Sequence, residues 1–125
     1  MDENRVSKQI IGAAIEVHQG LGPGLLESAY QACLAREMDL QGLIFRQQAR
    51  IDVVYKGLVV ESAYRADFLV YDRVIVELKT VDNLLPVHRA QLLTYLKWGG
   101  FKLGLLFNFN SVLLKQGIQR VVNNL

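Results

Sequence analysis

The sequence predicts an α/β fold, an α+β mixed sheet flanked by helices, and three patterns carry that reading. Apolar residues recur at spacings of three and four up to Leu40, and they alternate at a spacing of two between Phe45 and Lys79. A strand, helix and strand then follow from Val74 to Phe109.

Val6, Ile10, Ala13, Ala14, Val17 and Leu21 share one helical stripe, so the first helix is expected from about Glu3 to Gln19. Gly20-Leu21-Gly22-Pro23-Gly24 stops it. Leu26, Ala29, Tyr30, Cys33 and Leu34 carry a second helix toward Leu40, with its end near Gly42. From Phe45 to Tyr55 the apolar residues Phe45, Ala49, Ile51, Val53 and Tyr55 are odd-numbered, while Arg46, Gln48, Arg50 and Asp52 are polar. That is the period of a strand with one wet face. Lys56-Gly57 makes a turn, and strands are expected over Leu58–Val70 and Val74–Lys79.

A helix starts near Pro86, a residue suited to the first helical position, and ends at Gly99-Gly100. Lys102 to Phe109 is the next strand, and strand, helix and strand together form a parallel crossover. The order is α-α-β-β-β-α-β. The tail from Ser111 to Leu125 carries Val112-Leu113-Leu114 and Val121-Val122 and is expected to add a short edge strand or a helix.

With 125 residues, 51% of them hydrophobic and 21% charged, the chain reads as one domain over residues 1–125 with a single core, which argues against disorder. The lone Cys33 cannot form an internal disulfide and sits in an apolar helical pattern, as a small buried hydrophobe would. The N-terminus is charged and Glu16 interrupts the apolar run after Ile10, so neither a signal peptide nor a membrane span is expected, and a cytoplasmic location follows. A net charge of +2 permits a polyanionic partner without requiring one.

The residues around the middle hairpin suggest chemistry. Ala66, Phe68, Val70, Val74, Val76 and Leu78 are all even-numbered and apolar, so the even face is read as core. Burying that face on both strands requires even residues to pair with even ones, which a two-residue loop does not allow. A three-residue or bulged turn at Tyr71-Asp72-Arg73 is therefore expected. It sets Asp67 opposite Glu77, about 5 Å apart at Cβ, with Lys79 two residues further along.

Two carboxylates this close repel unless a cation joins them or one takes up a proton. A hard divalent ion such as Mg²⁺ suits oxygen ligands and activates water for phosphoryl chemistry. The plainer alternative is that Asp67 and Glu77 are solvated strand residues beside Lys79 and Arg65 in weak surface pairs. Val74-Ile75-Val76, directly before Glu77, favours the functional reading by setting the charges at the end of a core strand.

Gly24-Leu25-Leu26-Glu27-Ser28-Ala29-Tyr30 fits the motif of the GxxExxY protein family, a small PD-(D/E)XK nuclease-like group. Ala66-Asp67-Phe68-Leu69-Val70, Val76-Glu77-Leu78-Lys79 and the run from Pro86 to Leu96 resemble that family's later blocks in order and spacing, so the resemblance spans Val6 to Val122. It implies a restriction-endonuclease-like αβββαβ core with an extra N-terminal helix. It also implies a metal site of Glu27, Asp67, Glu77 and the Leu78 carbonyl that takes Mg²⁺ or Mn²⁺, with Lys79 serving the attacking water.

Gln91 and Tyr95 resemble the QxxxY element of RecB-like nucleases, which makes Gln91 a catalytic candidate. Tyr30, Tyr95 and Arg65 are candidates for substrate contact. Each has a plainer reading as well: Glu27 as a helix N-terminal acid, the tyrosines as packing residues and Gln91 as helix surface. The implied activity is hydrolysis of nucleic acid, DNA before RNA on superfamily grounds. The alternatives are a catalytically silent nucleic-acid-binding or assembly module of the same fold, or an unrelated binding domain. A homodimer would supply more substrate surface.

Other features add little. The Gly20–Gly24 segment lacks the lysine of a Walker A loop and reads as a turn. His18 and His88 lack the partners of a zinc site. Arg46, Arg50, Lys56, Arg65 and Arg89 read equally as a phosphate track or as solvated charge.

Overall fold

The computed structural model describes residues 1–125. Helices α1 (Glu3–Leu21), α2 (Glu27–Leu40) and α3 (Pro86–Gly99) flank a sheet of β1 (Phe45–Tyr55), β2 (Leu58–Val70), β3 (Val74–Lys79), β4 (Leu103–Asn108) and β5 (Ile118–Val122), ordered along the sheet as along the chain. The β3–β4 pair is parallel, as the crossover through α3 requires, and the other pairs are antiparallel. The tail supplies both a short 3-10 turn, Leu114–Gly117, and the edge strand β5. No helix is long and apolar enough to cross a membrane.

Asp2 caps α1 by accepting the Arg5 N–H at 2.8 Å. The helix runs on to Leu21 rather than Gln19 because Gly22, at φ 72°, supplies the terminator and donates its N–H to the His18 carbonyl. Val6, Ile10, Ala13, Ala14 and Val17 of α1 pack with Tyr30, Leu34 and Met38 of α2 against Phe68, Val70, Val74, Val76 and Leu78. His18 is buried here and donates Nε2–H toward the carbonyls of Phe109 and Ser111, at 3.2 and 2.8 Å, tying α1 to the end of β4.

The opposite face of the sheet is also buried, so the single core expected from the sequence is two cores. Leu92 and Leu96 of α3 cover Ala49, Ile51, Ala66, Leu69, Ile75, Leu106 and Val121. Burial on both faces is why β3 and β4 read as continuous apolar runs. Gly104 lets α3 approach closely, since a Cβ there would lie 2.9 Å from the Leu92 side chain.

The β2–β3 hairpin has the expected register, with Phe68 opposite Val76 and Val70 opposite Val74 around Tyr71-Asp72-Arg73. Tyr71 and Asp72 take up the turn at φ 52° and 53°.

The single-face reading of β1 and of the even positions of β2 needs correction. Phe45 packs in the α1–α2 core but Ala49 and Ile51 in the α3 core, and likewise Phe68 and Ala66 lie in different cores. Strict alternation would keep each set on one side. The ribbon turns over at Gln48, at φ 48°, opposite Asp67, where pairing lapses between Gln47–Phe68 and Ala49–Ala66.

Candidate active site

The turnover of the β1–β2 ribbon opens the sheet edge at the place where the acidic residues gather. Asp67 lies one residue beyond the last β2–β3 pair, Phe68 with Val76, and its carboxylate interacts with that of Glu77. Its carboxylate bridges the gap between the strands: Oδ2 accepts the Leu78 N–H at 2.8 Å, and Oδ1 lies 3.3 Å from the Gln48 amide. Gln31, one turn along α2 from Glu27, donates to the Asp67 carbonyl at 3.1 Å and to Gln47. Gln31 and Gln48 both escaped the sequence reading. Spacing from Glu27 could have flagged Gln31, whereas nothing in the sequence marks Gln48 for a left-handed backbone.

Glu77 sits at the end of β3 beside the α3 core. Its Oε1 is buried with no hydrogen-bond partner. Burial raises its pKa to about 9, reinforced by the nearby Asp67 charge, while Lys79 pulls the other way. As an isolated anion Glu77 is thus strongly disfavoured, and a proton or a cation is needed beside it.

Glu27 is the first residue of α2, on the α1–α2 side of the sheet, and its pKa is also raised, by partial burial and then by Asp67, with Lys79 opposing. With Ser28, Gln31, Gln48 and Asp67 it lines an open hollow of about 210 Å³. Asp67 and Lys79 therefore act electrostatically on both glutamates. The three carboxylates do not close into one cluster of metal-ligating side chains in this structure. Lys79 makes no ion pair within 4 Å, so its charge acts through space. The Phe109 N–H donates to the Lys79 carbonyl at 2.9 Å and fixes the end of β3.

Tyr95 is half-buried on α3 and stacks on Tyr64, ring centroids 4.0 Å apart and nearly parallel, and the Tyr64 hydroxyl donates to the Tyr95 carbonyl. Burial, then the charge of Glu77, raises the pKa of both phenols. Tyr64 was not singled out from sequence. Gln91 is exposed one turn before Tyr95 and makes no side-chain hydrogen bond. Arg65 is exposed two residues from Asp67.

Tyr30 is not brought to this site. It is fully buried, stacks on Phe109 at 4.6 Å, donates its hydroxyl to the Gly22 carbonyl at 2.6 Å and accepts the Leu25 N–H at 3.1 Å. The hydroxyl fastens the glycine-rich turn that leads into Glu27, so the expectation of substrate contact gives way to one of packing. Leu78 contributes its N–H, to Asp67.

Three helices on a mixed five-stranded sheet, with an aspartate within β2 beside the Glu-x-Lys that ends β3, define a restriction-endonuclease-like domain. The chain belongs to the PD-(D/E)XK nuclease superfamily, whose family model matches residues 4–121. No curated protein and no solved structure gives a significant match.

Proposed function

We propose that residues 1–125 form a single nuclease domain of the GxxExxY group that hydrolyses phosphodiester bonds of nucleic acid, DNA in preference to RNA, with Mg²⁺ or Mn²⁺ as cofactor. The observation that carries this reading is the buried, unpartnered Oε1 of Glu77 beside the carboxylate of Asp67. Two carboxyl groups this close need a proton or a cation between them, and a hard divalent cation with its preference for oxygen ligands meets that need. Asp67 and Glu77 would hold the ion, and Glu27 and the Leu78 carbonyl are further candidate ligands that a bound ion would have to draw in. A divalent ion there would lower the pKa of water and offset charge on the phosphoryl oxygens.

The chain's own residues have separable tasks. Gln48 and the Leu78 N–H hold the Asp67 carboxylate in place. Lys79, free of any ion pair, would orient the attacking water and balance charge that develops on the phosphate. Gln91 and Tyr95, one turn apart on α3, would approach the substrate from that helix, with Tyr95 backed by Tyr64.

Calorimetric titration with Mn²⁺ tests the reading directly. Saturable binding is expected for the wild type and is expected to be lost in Glu77→Ala. An absence of binding to the wild type, or equal binding to both, would overturn it.

A further inference from the structure

Arg50 and Arg65 stand directly opposite each other across β1 and β2. Both are exposed, and neither takes part in an ion pair or a side-chain hydrogen bond. Like charges in direct cross-strand register are destabilising. Nearby Asp52 is engaged with the Ser62 N–H at 2.9 Å and is not paired with Arg50.

Their position gives the pair a use. Ala49 and Ala66 are buried in the α3 core, so the adjoining residues of the ribbon, Arg50 and Arg65, project from the other face, the one that carries α2 and the hollow of Glu27, Gln31, Gln48 and Asp67. Arg65 lies two residues from Asp67, roughly 7 Å along the strand at the usual rise per residue. Two planar guanidinium forks at that distance can each donate to the non-bridging oxygens of a neighbouring phosphate, and they remain charged at any working pH.

We propose that Arg50 and Arg65 form a two-pronged clamp for a backbone phosphate next to the one being cleaved, so that this face of the β1–β2 ribbon is the track for the polynucleotide. The clamp rests on the nucleic-acid reading above. It requires neither the metal nor catalysis, because the negative charge of the ligand's phosphate, shared between the two arginines, offsets part of their mutual repulsion.

The test is binding of a fluorescein-labelled DNA oligonucleotide by anisotropy, in chelator and across a series of NaCl concentrations. It compares the full wild-type chain with Arg50→Gln, Arg65→Gln, the double variant, and Arg46→Gln as a control. Arg46 is already paired with Asp72 at 2.9 Å.

The double variant is expected to bind at least about tenfold more weakly, with the slope of log K against log salt reduced by about one, since one neutralised phosphate contributes nearly one. It is also expected to melt no lower than the wild type, because the repulsion is gone. The Arg46→Gln variant should bind as the wild type does. Unchanged affinity and slope in the double variant, or no binding by the wild type at low salt, would overturn the clamp. Cleavage by a wild type whose double variant binds normally would sink the clamp and spare the nuclease. Binding lost in the double variant, with no cleavage by any form, would do the reverse.

Discussion

The carboxylate of Asp67 accepts the main-chain N–H of Leu78 at 2.8 Å, so a side chain takes the place of a ladder hydrogen bond where β2 and β3 part. That substitution holds Asp67 beside Glu77 although the two repel. Without a bound cation or proton this pair of carboxyls destabilises the fold.

Glu77 is held well above the usual carboxylate range, at about 9 against an ordinary 4.5. Between those values the folded chain binds more protons than the unfolded one, so stability falls as pH rises through the window. In chelator, the melting temperature is expected to drop from pH 5 to pH 9. Glu77→Gln should flatten that profile and melt higher than the wild type at pH 9, by about 5 °C or more. Thermal melts at several pH values check it, and a parallel decline in both proteins would contradict it.

Asp67→Asn removes one of the repelling charges and keeps an oxygen that can accept the Leu78 N–H. In chelator the variant is expected to be as stable as the wild type or more so, and to lose the stabilisation that added Mg²⁺ confers on the wild type. Melting curves with and without about 10 mM Mg²⁺ read both effects. An equal shift in the two proteins would count against a metal at Asp67.

The hydroxyl of Tyr30 serves the Gly22 carbonyl and the Leu25 N–H and touches no site residue. Tyr30→Phe keeps the stack on Phe109 and should cost about 1–2 kcal/mol of stability, measurable by urea unfolding. Affinity for DNA should be unchanged. A variant that folds as stably as the wild type yet binds DNA poorly would return Tyr30 to the substrate.

Gly104→Ala places a methyl group 2.9 Å from Leu92 in the α3 core. Overpacking of this kind costs about 1–3 kcal/mol, and denaturant midpoints should show it. A neutral result would mean that α3 can shift on the sheet.

Much of the frame was legible in the sequence because local patterns carried it. The parity of Phe68, Val70, Val74 and Val76 was enough to deduce a three-residue turn and to set Asp67 across from Glu77. The second core was hidden because α3 buries only Leu92 and Leu96 fully, which is too sparse a stripe to show as periodicity.

The turnover at Gln48 was hidden for a different reason. A left-handed glutamine has no compositional mark, and on either side of it odd residues remain apolar while the face they occupy changes. Tyr30 sits in a motif that invites a functional role for every member, and only its hydrogen bonds show it to be a fastener.

The most direct test of the central claim is cleavage of end-labelled single-stranded, duplex, nicked and flapped DNA, and of RNA, with Mg²⁺, Mn²⁺ or chelator, by the wild type, Glu77→Ala and Lys79→Ala. Metal-dependent cleavage of DNA by the wild type is expected, abolished in both variants and by chelator. Cleavage that survives in either variant or in chelator would contradict it. So would a folded wild type that binds DNA and cuts nothing with either metal, which is the behaviour of a silent nucleic-acid-binding module.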